Sequence, residues 1–89
     1  MNDLATTLRA RLADLDPTAL ELRDDSADHI GHAGAASGAR HFSLLIVSKA
    51  FSGISRLERQ RTVLSRVNDL LPYPIHALSI RALAPDEIS

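Results

Sequence analysis

Cysteine is absent from the 89 residues, and so is tryptophan. Without a thiol the chain cannot build a disulfide, a thiolate nucleophile, or a cysteine-ligated zinc or iron–sulfur site from its own residues. Only three side chains are aromatic, Phe42, Phe51 and Tyr73, so a core has to come from Leu, Ile, Val and Ala. Neither sign of charge is in excess. The formal net charge is −1, which removes any general attraction to nucleic acid or an anionic bilayer. No long apolar run occurs, and Met1 to Ala13 mixes acids with bases. The sequence therefore predicts no signal peptide, no membrane span and a cytoplasmic protein. Also missing are a nucleophile-elbow serine with its glycines, a Walker lysine and a G-x-G-x-x-G loop. A chain this short has little volume in which to enclose a substrate, and the reading is non-enzymatic.

What is present is enough for one folded domain spanning residues 1–89, without repeats or linkers. Leu4, Leu8, Leu12 and Leu15 recur at helical spacing, with Asn2 or Asp3 able to cap the start and Pro17 closing the helix near Asp14 to Asp16. Leu20 and Leu22 alternate with Glu21 and Arg23 as a short strand. Residues 24–40 show neither period and read as a long loop, rich in Gly, Ala, Ser, Asp and His. His41 to Ser48 is apolar on both faces for part of its length, the mark of a central strand. A turn at Phe51-Ser52-Gly53 leads to Ser55-Arg56-Leu57-Glu58, a capping-box pattern opening a helix to about Leu71. Leu57, Val63, Leu64, Val67, Leu70 and Leu71 share one arc of that helix, and Gln60 falls near its middle. Ile75 to Leu83 is a last strand, whose alternation groups His76 with Leu78 and Ile80, and residues 84–89 form a short tail. The expected class is α+β: a three-stranded mixed sheet with the helices on one face.

Chemistry-bearing residues are few. Of the four histidines, His29 and His32 lie in the loop beside Asp24, Asp25 and Asp28, while His41 and His76 open strands. A histidine at the rim of an apolar strand is ordinarily structural, and an H-x-x-H pair supplies two ligands where a metal usually takes four. The aspartates read as turn-capping residues of a solvated loop. Lys49, Arg56, Arg59, Arg61 and Arg66 make a local basic surface, with Arg59 and Arg66 on one flank of the apolar arc and Arg61 on the other. Such a surface is either a solvated helix face diluted by Glu58 and Asp69 or a weak nucleic-acid contact.

One resemblance draws these residues together. Asp25-Ser26-x-x-His29, His41-Phe42, Val47-Ser48, Phe51-x-Gly53-x-x-x-Leu57, Arg59-x-Arg61, Ile75-His76-Ala77-Leu78 and Pro85-Asp86-Glu87 follow the pattern of the BolA family, which the chain resembles over about two-thirds of its length. The resemblance implies an αββααβ order similar to a class II KH domain, with a short helix near Gly53. The chain has no GXXG loop, so that kinship does not carry RNA binding with it. It also implies a monothiol glutaredoxin as partner and a [2Fe-2S] cluster shared with it. A glutaredoxin cysteine and glutathione hold one side of that cluster. Since only two candidate ligands come from this chain, the isolated protein is expected to be a monomer without a cofactor. By the same resemblance His76 is one cluster ligand, His32 the loop ligand, and His29 its fallback. Imidazole suits iron and raises a cluster's potential relative to thiolate. Other family members are DNA-binding regulators of stress response and cell morphology, which is the alternative reading for the arginine-bearing helix 55–71. The family's Arg-His-Arg is Arg59-Gln60-Arg61 here, which puts any role of that third histidine in doubt.

Overall fold

The computed structural model of the protein describes residues 4–25 and 40–88. Helix α1 (Leu4–Leu12) runs into a 3-10 turn (Ala13–Leu15). It stops where Asp16 turns left-handed, one residue before Pro17. Leu8 and Leu12 are fully buried and Leu15 nearly so, as the leucine spacing predicts. The proposed caps, Asn2 and Asp3, lie outside the described residues.

Strands β1 (Ala19–Asp24), β2 (Arg40–Val47) and β3 (Ile75–Leu83) form one sheet in that order, β1–β2 antiparallel and β2–β3 parallel. The central place of β2 matches its two-sided apolar run. Asp24 and Arg40, read as loop residues, end β1 and begin β2. A parallel neighbour needs a long crossover, and helix α2 (Arg56–Val67) provides it. Both helices lie on the sheet face that carries Phe42, Leu44 and Ile46. Leu12, Leu15, Phe51 and Val63 pack with Leu44 and Ile46, while Leu8, Val67 and Ile75 pack with Phe42. The expected short helix near Gly53 is a 3-10 turn (Lys49–Phe51). Among the described residues no helix is long and apolar enough to cross a membrane.

Three expectations for α2 need correction. Leu57 is 58% exposed and packs in neither core cluster, and the buried stripe of α2 begins at Val63. Gln60, expected near the middle of the inward arc, is only half-buried. Only half of the capping box forms: Ser55 accepts from the Glu58 N–H at 3.2 Å, but the Glu58 carboxylate turns to Arg61 instead. The α-helix ends at Val67 and tightens into a 3-10 turn (Asn68–Leu70), since Pro72 forces Leu71 into an extended conformation.

Ser48 is the buried polar residue among the described residues. Its hydroxyl donates to the Leu15 carbonyl at 2.5 Å and accepts from the Ala50 N–H at 3.0 Å, tying the end of β2 to the end of the first helical segment. Ser48→Ala leaves a buried carbonyl without its partner and is expected to cost about 1–3 kcal/mol. Urea unfolding reads this directly, and an unchanged midpoint would contradict it.

Candidate metal-binding site

The β2–β3 ladder slips by one residue at its start. Arg40 pairs with Ile75 and His41 with Ala77, so His76 is an extra residue between two paired ones. This is a bulge, a device that re-aims a side chain and breaks the two-residue alternation. Its effect is visible in burial: Ile75 is fully buried and Leu78 packs on the same core, three positions apart, while His76 is exposed. The alternation placed His76 with Leu78 and Ile80 at the rim of the apolar face, and the bulge overturns that. The His76 ring lies beside that of His41, with centroids 5.2 Å apart and planes tilted by 57°.

The backbone around this pair is tied down. The His41 carbonyl accepts from the Asp25 N–H at 2.7 Å, and the Arg40 N–H donates to the Pro74 carbonyl at 3.0 Å. The Asp25 carboxylate accepts from Arg23 Nε at 2.6 Å and from the Ser43 hydroxyl. Asp24 faces Arg40 at 3.5 Å. These two aspartates are thus engaged residues at the sheet's end, not the solvated turn caps expected from composition. His29, His32 and Asp28 lie outside the described residues. Among the described residues no three histidine, cysteine or acidic side chains are grouped to hold a metal. What the structure does assemble is a two-imidazole pair on adjacent strands, and sequence reading missed His41 as a member of it.

The fold and this strand-opening histidine fit one family. The profile described as BolA-like protein matches residues 12–87. The chain belongs to the BolA-like family. Mouse BolA-like protein 1 is 42% identical over 79 residues, covering 88% of this chain and 56% of that protein. SufE-like protein 1, chloroplastic/mitochondrial, of Arabidopsis thaliana is 45% identical over 80 residues, covering 84% of this chain and 22% of that protein. This chain therefore spans about half or less of these relatives. The solved structure of BolA1 from Arabidopsis thaliana superposes with a TM-score of 0.85 at 34% identity, covering 100% of this chain and 99% of that one.

On this BolA-like chain the basic residues are largely spoken for. Arg59, 11% exposed, donates to the Ile54 and Ala82 carbonyls and makes a two-pronged pair with Glu87 at 2.6 and 2.9 Å. Arg66 pairs with Asp14 at 2.8 and 2.9 Å, and Arg61 with Glu58 at 3.0 Å. Arg11 and Asp69 complete the tie between the two helices. Lys49 and Arg56 remain exposed. The basic flank of the helical wheel is in fact a set of ion pairs. The tail is likewise held: residues 85–87 form a 3-10 turn and Ala84 is buried.

Arg59, followed by the Ala84 N–H, draws the Glu87 carboxyl down from 4.5 to about 2. Arg66 and Arg11 similarly lower Asp14 and Asp69. A depressed folded-state pKa stabilises fully above the unfolded value, and that stabilisation is lost as pH falls through the folded value. The stabilisation from the tail contact is therefore full above the ordinary glutamate range and is lost between there and about pH 2, where half of the folded-state carboxyl is still ionised. Carboxyl NMR titration should find the Glu87 midpoint near 2, and a midpoint at the ordinary value would contradict the pairing.

Proposed function

We propose that this protein is a non-enzymatic partner of a monothiol glutaredoxin and contributes imidazole ligands to a [2Fe-2S] cluster bridging the two. The observation that carries the reading is the bulge that sets an exposed imidazole, His76, on a rigid strand at the end of the sheet. The donor set fits. Neutral imidazole is a good iron ligand, and a chain without cysteine leaves the thiolate positions to the partner's cysteine and glutathione. His76 is the ligand from the fold, and His32, with His29 as its fallback, is the ligand from segment 24–40. When bound, such a cluster supplies one-electron exchange at a potential raised by histidine ligation. This chain's part is to offer donors and to exclude further ones. The occurrence of a matching segment in a SufE-like protein supports a link to iron–sulfur metabolism.

Isolated, the protein is a monomer without bound metal, since its own donors fall short of four. Its setting is the cytoplasm. The DNA-binding alternative, through Lys49, Arg56, Arg59, Arg61 and Arg66, is the weaker reading because Arg59, Arg61 and Arg66 are already paired with carboxylates. The test is to mix the chain with a monothiol glutaredoxin, glutathione, iron and sulfide and record absorption and circular dichroism. A complex whose spectrum differs from that of the glutaredoxin's own cluster is expected. A spectrum identical to that of the glutaredoxin alone overturns the reading.

A further inference from the structure

His41 and His76 lie far apart in sequence, yet they meet at the start of two parallel strands. We infer that they form a chelating pair for a borderline transition-metal ion, such as Zn²⁺ or Co²⁺, whose other ligands come from solvent or a partner. This rests on the reading of His76 as a metal ligand and assigns it a second donor from within the fold.

The separation of the two rings leaves room for a shared ion. A metal bound in the plane of an imidazole lies about 2.0–2.1 Å from the nitrogen, hence about 3.2 Å from the ring centroid. At a tetrahedral angle, two such centroids fall about 5 Å apart. The observed separation is 5.2 Å, and the 57° tilt excludes a face-to-face stack. Both donors stand on strands. His41 is in the central strand, hydrogen-bonded on both sides, and His76 is fixed by the bulge directly beside it. Donors on paired strands hold their separation far better than donors on loops. The bulge lets Ile75 and Leu78 both face the core, and the residue it adds, His76, lies exposed with its ring beside that of His41. Two donors out of four make a weak site in the isolated chain and a completed one when a partner brings the rest.

The test uses the whole chain and the ion alone. Zn²⁺ is titrated near neutral pH while the imidazole nitrogens of all four histidines are followed by NMR, with Co²⁺ absorption as a second measure. The His41 and His76 rings are expected to shift together, saturating at one ion per chain. His41→Gln and His76→Gln should each weaken binding about 10²-fold, the loss expected when a second contact is no longer intramolecular. A Zn²⁺ response confined to the rings of His29 and His32, or to one ring of the pair, overturns the proposal. So does parental affinity in His41→Gln. The ring shifts in the parent protein decide the matter even if a variant fails to fold. The two ideas fail separately. An absence of Zn²⁺ shifts removes the chelate and leaves the glutaredoxin reading standing. An unchanged cluster spectrum in the His76 variant complex removes the glutaredoxin reading and leaves the ion site.

Discussion

Replacing His76 by alanine should abolish the histidine-ligated absorption and dichroism of the mixed glutaredoxin complex, whereas His32→Ala should weaken it without removing it. The difference follows from where the two residues stand. His76 is an extra residue in a parallel ladder, and the positions on either side of it, Ile75 and Ala77, are committed to pairing with Arg40 and His41. No neighbouring side chain on β3 can take its place: Ile75 is buried and Ala77 has no donor. His32 has a second histidine three positions away, His29, which can take over the ligand role. The His76 variant should keep its fold. The ring is exposed, so its removal leaves no buried cavity, and such surface changes usually alter stability by about 0.5 kcal/mol or less. Glutaredoxin should still dock, because protein contacts do not depend on one ligand. The measurement is the spectrum of the reconstituted complex, with the amide NMR spectrum of the free variant as the check on folding. An unchanged cluster spectrum in His76→Ala would sink the assignment, and an unfolded variant would show that the ring is a structural element.

The parts of this protein visible in the sequence are those set by short-range pattern. Leucines at steps of three and four define the inner face of α1, and the apolar run from Phe42 to Val47 marks a central strand. Ser55 announces the start of α2. The features that escaped depend on what lies opposite. A helical wheel gives the direction in which Leu57 points but not whether anything is there to cover it. It places Arg59 on a flank without revealing Glu87, 28 residues further on, as its partner. The bulge is of the same kind. Ile75 to Leu83 alternates well enough to predict a strand, yet the slip that re-aims His76 exists only in the register between β2 and β3. For the same reason His76 could be named as a site residue from its resemblance to a family pattern, while its neighbour His41 could not be joined to it. Two strands separated by a helix carry no local signal of which residues will face each other.

The largest expected effect on stability is at Phe51, where truncation to alanine should cost about 3–5 kcal/mol. Aromatics are scarce in this chain, and Phe51 is the largest of the fully buried side chains, 1% exposed. It ends the 3-10 turn that leaves β2, and Gly53, with a φ of 74°, then carries the chain towards α2 in a conformation that favours glycine. From there its ring packs with Leu44 and Ile46 of the sheet, Val63 of α2, and Leu12 and Leu15 from the first helical segment. Phe51 thus belongs to the cluster that joins both helical segments to the sheet. Small domains are stable by only about 5–15 kcal/mol, so the substitution removes a large fraction of the total. Equilibrium unfolding in urea should show a midpoint well below the parent's with a similar slope, since the surface exposed on unfolding changes little. Phe51→Leu, which keeps most of the apolar volume, should recover much of the loss. A Phe51→Ala protein as stable as the parent would mean that the corner between sheet and helix is held by the buried Ser48 hydrogen bonds and not by the ring.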